Sequence, residues 1–131
     1  MSTSLLYHGL GIRGHRYRST EYLAGEIVFT IDQDPKSWRC AACGPANVRS
    51  KGRNPREFHA PPLGGKDVTI RFAVPRVHCQ ECGAIRQVKV AFADEGHRYT
   101  KAFARFALRL CRFMTIQDVA MFLHVSWDVI K

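Results

Sequence analysis

Two short motifs decide the fold of this chain: Cys40-Ala41-Ala42-Cys43-Gly44 and, 35 residues after Cys43, Cys79-Gln80-Glu81-Cys82-Gly83. Each C-x-x-C turn presents two sulfurs to one point, and the glycine that follows lets the chain turn back tightly beneath them. Four thiolates complete the tetrahedral shell of zinc and leave no position for water, as in structural sites. The motifs therefore predict one structural Zn²⁺ bound by Cys40, Cys43, Cys79 and Cys82, with a disulfide or redox pair as the alternative.

Length and charge set the limits for the rest of the chain. Its 131 residues suit one domain or two very small ones, and a metal ion would reinforce the modest core that 46% hydrophobic residues can build. The net charge of +9 favours polyanions, first of all nucleic acid, although solubility alone also explains it. Five cysteines without a secretory signal indicate a reducing cytosol, and no run approaches the roughly 18 apolar residues of a membrane span.

The N-terminal residues 1–35 are predicted to form an arm and a strand. Residues 1–20 are basic, and Gly9, Gly11 and Gly14 disfavour a helix there, so we expect an irregular arm. Residues 22–31 alternate in a β-branched pattern that predicts a strand, which ends at a turn over residues 32–35.

Residues 36–93 are predicted to form a zinc ribbon, with strands over residues 68–74 and 85–90 beside the second cysteine motif. Residues 48–56 are predicted to be a loop or hairpin tip, because they contain Gly52 and Asn54-Pro55. The basic residues of this loop suit phosphate contacts, and a solvated loop is the alternative. His59 and His78 could also bind zinc, but four sulfurs already complete the shell. The basic residues of the predicted loop over residues 48–56 are Arg49, Lys51 and Arg53.

The last segment, residues 97–131, changes to a helical period after a polar break at residues 91–96. One helix face is apolar and predicts a core contact. The opposite face carries what we call the basic stripe, which is either solvated or in contact with phosphates. Cys111 flanks the apolar face and is predicted to be a small buried hydrophobe. The apolar positions are Phe103, Phe106, Ala107, Leu110 and Met114, and the basic stripe is Arg98, Lys101, Arg105, Arg109 and Arg112.

A helix-turn-helix pattern follows. Thr115 is a predicted N-cap for a helix over residues 116–123, with Asp118 three residues later. Small Ala120, Val125 in the turn and Ile130 on the next helix have the spacing of this motif. His124 stands where glycine is usual, since the turn requires a positive φ.

At these residues the chain resembles the N-terminal part of the ISL-three family of bacterial insertion-sequence transposases. The resemblance covers nearly the whole chain and is weakest over residues 1–20. The matching segments are Cys40 to Gly44, Arg49-Ser50-Lys51-Gly52-Arg53, Val74-Pro75-Arg76-Val77-His78-Cys79-Gln80-Glu81-Cys82-Gly83, Arg98-Tyr99-Thr100, Met114-Thr115-Ile116-Gln117-Asp118-Val119-Ala120 and Val125-Ser126-Trp127-Asp128-Val129-Ile130-Lys131.

The resemblance implies a zinc ribbon and a helix-turn-helix that together recognise the terminal inverted repeats of a mobile element in DNA transposition, a form of DNA recombination. Family members continue with an RNase-H-like domain carrying an Asp/Asp/Glu triad, to which no residue here corresponds. We therefore expect no catalytic residue and no enzymatic activity in this chain. We expect it in the bacterial cytoplasm, associated with the nucleoid, with double-stranded DNA as its partner. Self-association stays open, as does whether the sequence is a fragment, a decayed element or a short form.

The sequence thus predicts an α+β protein, in which a small β-rich zinc ribbon precedes a truncated, helical helix-turn-helix unit. Since the recognition helix begins near Trp127 and the sequence stops at Lys131, we expect DNA binding to be mainly electrostatic and weakly sequence-specific. The alternative function is a zinc ribbon that binds protein without DNA specificity. A zinc hydrolase or deaminase is disfavoured, because the site has no open ligand position. The predicted DNA contacts are Arg49, Lys51, Arg53, Lys101, Arg105, Arg109, Arg112, Ser126, Trp127 and Lys131.

Overall fold

The chain forms a β-sheet with a short helix before it and three helices after it. The structure is a computed structural model that describes residues 3–44 and 46–130, without the side chains of Thr3, Trp127 and Asp128. The predicted α+β class, with a β-rich part followed by helices, is confirmed. The elements are α1 (Thr3–Leu10), β1 (Arg16–Leu23), β2 (Glu26–Asp32), a 3-10 turn (Pro35–Ser37), β3 (Val48–Leu63), β4 (Lys66–Cys79), β5 (Ile85–Gln87), α2 (Lys101–Leu110), α3 (Ile116–Leu123) and α4 (Trp127–Ile130).

Strand β4 is the centre of the sheet. The strands lie in the order β1-β2-β4-β3, and β5 pairs with the end of β4 that leads into the second cysteine motif. Strands β2 and β4 are parallel, whereas β1 with β2, β3 with β4 and β4 with β5 are antiparallel. The predicted alternation over residues 68–74 is confirmed, because Val68, Ile70, Phe72 and Val74 are all buried.

Strand β3 corrects the predicted loop over residues 48–56. The segment belongs to a strand of 16 residues that pairs with β4 along its length, with a register shift between Ser50 and Arg53. Gly52, at a φ of 107°, lies in that shift. The glycine and Pro55 resemble turn signals in sequence, but here they mark a bulge and an edge strand, where an absent N–H costs no ladder bond.

The N-terminal strand prediction was also incomplete. The predicted single strand over residues 22–31 is a β-hairpin, in which β1 turns at residues 24–25 into β2. Gly25 adopts a φ of 73° at this turn. The exposed strand β1 was missed because it carries few apolar residues: all but Tyr17 and Thr20 are exposed.

Helix α1 contradicts the predicted irregular arm over residues 1–20. Its Leu6 and Leu10 are buried in the main core together with Ile12. The helix ends in paired bonds in which Ile12 N–H donates to the Leu6 carbonyl and Gly11 N–H to the Tyr7 carbonyl. Gly11, at a φ of 69°, thus acts as the left-handed C-cap of the helix. The glycine that argued against a helix in the sequence is the residue that ends it.

The main core lies between α1 and the sheet and includes a segment predicted to be a polar break. Phe92 and Ala93, within residues 91–96, are 4% and 6% exposed and belong to this core. The edge of the Phe92 ring meets Phe58, with ring centroids 5.1 Å apart. The predicted domain bounds stay predictions, but the segment between them packs against the sheet.

The helical part continues directly from that segment. The Thr100 side chain accepts a hydrogen bond from Phe103 N–H and caps α2, and its own N–H donates to the His59 carbonyl of β3. Helices α2, α3 and α4 share a second core that includes Phe103, Ala107 and Val119. None of the described helices has both the length and the apolar character needed to cross a membrane.

His15 provides a test of the main core through pH. The ring is 4% exposed, its Nδ1–H donates to the Arg13 carbonyl and its Nε2 has no partner among the described residues. Burial lowers the pKa of His15 from 6.5, despite opposing contributions from that carbonyl and from Asp32. Below about pH 6.5 the unfolded chain therefore takes up a proton more readily than the folded chain, so acid reduces the free energy of unfolding.

We expect the variant His15→Leu, which cannot titrate, to lose less stability than the native protein between pH 7.5 and pH 5.5. Urea unfolding of zinc-loaded protein at both pH values measures this difference, since protonation of the cysteine ligands affects both proteins alike. An identical loss of stability in the two proteins would show that His15 is not held neutral by the core.

Candidate metal centre and nucleic-acid interface

The four motif cysteines form one cluster at the end of the β3–β4 hairpin. Their Sγ atoms all lie within 4.8 Å of one another, with Cys40 to Cys82 at 3.7 Å and Cys43 to Cys79 at 3.5 Å. Tetrahedral zinc with Zn–S bonds of about 2.3 Å requires sulfurs about 3.8 Å apart, which these distances match. They are far longer than the ~2.05 Å of a disulfide. The donor set therefore fits one structural zinc ion.

The local fold explains how the cluster forms. Each motif closes as a tight turn in which the glycine N–H donates to the carbonyl of the first cysteine: Gly44 to Cys40 and Gly83 to Cys79. Both glycines adopt a positive φ, 93° and 75°, which residues with a Cβ rarely reach. The spacing and the glycines thus place two sulfurs from each turn on one point.

Backbone N–H groups prepare two of these sulfurs as thiolates. The amides of Ala42 and Cys82 lie 3.4 Å from Sγ of Cys40 and Cys79 respectively. Donation by the Cys43 amide contributes most to lowering the pKa of Cys40 to about 6, and donation by the Cys82 amide contributes most to the lowered pKa of Cys79. The pKa of Cys43 is raised, chiefly by its hydrogen bond with the Cys82 side chain. Because the thiolate is the form that binds metal, these hydrogen bonds from backbone N–H groups favour binding of a cation at the cluster.

Neither histidine named as an alternative ligand belongs to the cluster. The only group of metal-binding side chains found among residues 3–44 and 46–130 consists of the four cysteines. His59 instead lies 6.0 Å from the ring of Phe103, and its backbone N–H donates to the Arg98 carbonyl.

Cys111 lies away from the metal site, at the C-cap of α2, where it is half-buried against the second core. We expect its thiol to react roughly tenfold or more slowly in the folded zinc-loaded protein than after denaturation, because packing against the second core restricts access of the reagent. Timed alkylation with mass spectrometry of the labelled peptide measures this. Equal rates in the two states would mean that α2 does not pack against α3.

The basic stripe has Lys101, Arg105 and Arg109 on the outer face of α2, with Arg98 just before the helix and Arg112 in the turn after it. Its five residues are all exposed, whereas Phe103 and Ala107 on the opposite face are buried. Lys101 lies 3.9 Å from Asp94, and Arg105, Arg109 and Arg112 have no ion pair with any described residue. The predicted two-faced helix is confirmed over residues 101–110, whereas Arg98, Arg112 and Met114 lie outside it, and Arg105 and Arg109 are free to meet an anion.

The helix-turn-helix has the predicted local geometry. Thr115 accepts from Asp118 N–H and caps α3. His124 occupies the left-handed turn position at a φ of 58°, and Val125 N–H donates to the Ala120 carbonyl. The ring Nδ1 of His124 lies 2.8 Å from a carboxylate oxygen of Asp67, which ties the turn to β4. This contact offsets part of the strain of a non-glycine residue in that conformation.

The predicted DNA contacts at the recognition helix are only partly described. Ser126 is exposed just before α4. The side chain of Trp127 and the whole of Lys131 lie outside the described residues.

The basic residues of the ribbon are exposed on β3 rather than on a loop. Arg49 and Lys51 have no ion pair with a described residue, and the Arg53 guanidinium lies 5.9 Å from the centre of the Trp38 ring. Two further cations lie beside them that were not predicted as DNA contacts, Arg76 on β4 and Arg86 on β5. The alternation of β4 could have found Arg76, because it stands between the buried Pro75 and Val77.

Two family models match the chain. Residues 36–82 match the zinc-finger of transposase IS204/IS1001/IS1096/IS1165, and residues 88–131 match the helix-turn-helix domain of transposase family ISL3. The first segment contains the cysteine cluster and the second contains α2, α3 and α4. No curated protein matches the chain, and neither does any solved structure.

Proposed function

Because the chain belongs to transposase family ISL3, with a structural zinc ribbon and a helix-turn-helix, we propose that it binds double-stranded DNA at the terminal inverted repeats of a mobile element. Zinc is held by Cys40, Cys43, Cys79 and Cys82 and has a structural role, since four protein ligands leave no position for a reacting water. The protein acts in the bacterial cytoplasm, where the element's DNA is present.

The observation that carries this proposal is the unpaired part of the basic stripe. Arg105 and Arg109 project from α2, which packs on α3, and Arg112 lies in the turn that follows; none of the three has an acidic partner among the described residues. Cations on a rigid helix beside a helix-turn-helix suit phosphate contacts, which fix the position of the protein on a duplex. Ser126 and Trp127, at the start of α4, are proposed to approach the major groove.

DNA titration at several salt concentrations tests the proposal. We expect binding of a 24-base-pair duplex, followed by fluorescence anisotropy, to weaken steeply with salt, with a log–log slope of roughly −4 or steeper. The double variant Arg105→Gln/Arg109→Gln should flatten this slope by roughly 2. Each lost phosphate contact reduces the magnitude of the log–log slope by about 0.9. Tighter binding of the inverted-repeat duplex than of a scrambled duplex would support recognition of the element's ends.

A matched control is available on the far edge of the sheet. The variant Arg16→Gln/Arg18→Gln removes the same charge from two arginines that already pair with Asp32, so it should leave the slope nearly unchanged. Absence of a stable DNA complex at any salt concentration would refute DNA binding and favour the alternative, a zinc ribbon that binds another protein.

A further inference from the structure

A basic groove lies on the zinc ribbon, apart from the helix-turn-helix. It is a cavity of about 620 Å³ between the bulge of β3 and the short strand β5, and it is open to solvent. Four of its lining residues are cations, and two more carry amide groups. They are Lys51, Arg53, Arg76, Arg86, Asn54 and Gln87.

The charge of this basic groove is not balanced by the protein. No acidic residue lines it, and none of its four cations has an ion pair with a described residue. Other arginines of the sheet do have acidic partners: Arg16 lies 2.7 Å from Asp32 and Arg71 lies 3.0 Å from Glu57. Four cations around one opening repel each other, so an anion bound between them is favourable.

Both walls of the basic groove lie close in sequence to the second cysteine motif. Arg76 precedes Cys79 by three residues on β4, and Arg86 follows Cys82 by four residues on β5. The two strands pair directly here, with Arg76 opposite Gln87. The Arg53 guanidinium is placed over the ring of Trp38, which packs in a small core beneath the ribbon. The cations are therefore held by rigid strands rather than by a mobile loop.

The lining chemistry identifies the ligand class. Small-molecule sites are mostly apolar, whereas the apolar side chain lining this cavity is that of Ile85 alone. Three guanidinium groups offer the planar pairs of N–H donors that match phosphate oxygens. The geometry points to the sugar-phosphate backbone of duplex DNA as the occupant of the basic groove, in a contact separate from that of the helix-turn-helix. This inference rests on the proposed function.

The position of the basic groove determines how far the DNA contact extends. Gly52 at the groove and His59, which is bonded to the start of the helical part, are seven residues apart on β3, or roughly 23 Å along a strand. The basic groove and the start of the helical part thus lie at different points along β3, so a duplex must extend beyond one of them to meet both.

The double variant Arg76→Gln/Arg86→Gln tests this inference on the full chain with a random 24-base-pair duplex. We expect the salt slope of binding to flatten by roughly 2, and the affinity at 0.1 M salt to fall roughly 60-fold. Arg16→Gln/Arg18→Gln serves as the charge-matched control and should show neither effect. The zinc content and the circular dichroism spectrum of Arg76→Gln/Arg86→Gln must equal those of the native protein. If they differ, Lys51→Gln provides a second test, because it leaves β4 and β5 untouched.

The outcomes separate this inference from the proposed function. If the groove variants bind as the native protein does while Arg105→Gln/Arg109→Gln binds weakly, the basic groove is not a DNA site although the protein binds DNA. If the groove variants and the Arg16→Gln/Arg18→Gln control weaken binding equally, only net charge matters and the inference is overturned. If the native chain forms no complex with DNA, both proposals fail.

Discussion

Replacement of Cys79 by serine is expected to abolish zinc binding and to unfold the ribbon end of the β3–β4 hairpin. Cys79 is fully buried and lies 3.5 Å from Cys43, so its loss leaves three sulfurs and a poor fourth ligand. Structural zinc contributes on the order of 10–16 kcal/mol in small zinc domains, and here it joins two segments separated by 35 residues. The core beneath the cluster contains only Trp38, Val77 and Val88 as buried residues, too few to hold the ribbon without the metal.

Metal analysis and hydrogen exchange measure the effect. Native protein should contain one zinc per chain, and Cys79→Ser none, with loss of amide protection over residues 76–79 and a red-shifted emission from Trp38. Cys111→Ser is the matched control: it removes one thiol outside the cluster and should keep the zinc. A native protein that is folded without zinc, or a Cys79→Ser variant that keeps it, would contradict the expectation.

The damage is expected to stay local. The main core, with Leu6, Phe58 and Phe72, contains none of the four cysteines. Protection of amides in the middle of β4 should therefore outlast protection at its ribbon end. Loss of both together would mean that ribbon and sheet fold as one cooperative unit.

The parts of the fold that could be predicted are those encoded within a few residues. The cysteine motifs predicted the zinc ribbon, because spacing and glycines alone bring each pair of sulfurs together. The helix α2 and its two faces follow from a period that spans ten residues. The cap at Thr115 needs only a hydroxyl three residues before an N–H, and its bond to Asp118 is present.

The parts that could not be predicted depend on partners distant in sequence. Gly11 ends a helix because Leu6 and Leu10 find a core built by the sheet, and nothing in residues 1–20 reveals that core. Gly52 and Pro55 are tolerated in β3 because that strand lies at an edge. Arg76 and Arg86 were overlooked because they are ten residues apart and come to line one cavity only through the pairing of β4 with β5.

Replacement of Phe92 by alanine is expected to have the second large effect, on the stability of the main core. Its ring lies 5.0 Å from His15, 5.1 Å from Phe58 and 6.1 Å from Phe72, between ring centroids, and only 4% of the residue is exposed. Phe92→Ala is expected to lower the free energy of unfolding by about 3–5 kcal/mol, because it removes a buried ring and leaves a cavity. Urea unfolding of zinc-loaded protein measures this loss. Phe113→Ala, at a position that is 81% exposed, is the matched control and should change stability by less than about 0.5 kcal/mol.

The size of the stability loss in Phe92→Ala shows whether residues 91–96 are a solvated linker or a segment packed on the sheet. If they were a solvated linker between ribbon and helices, Phe92→Ala would resemble the Phe113→Ala control, and a loss below about 1 kcal/mol would support that view. In the structure the Phe92 carbonyl accepts a hydrogen bond from Lys101 N–H, the first residue of α2. The ring holds this segment on the sheet while its carbonyl contacts the helix. Phe92→Ala should therefore also reduce the amide protection of Lys101 more than that of Val119 and Leu123, which belong to the second core.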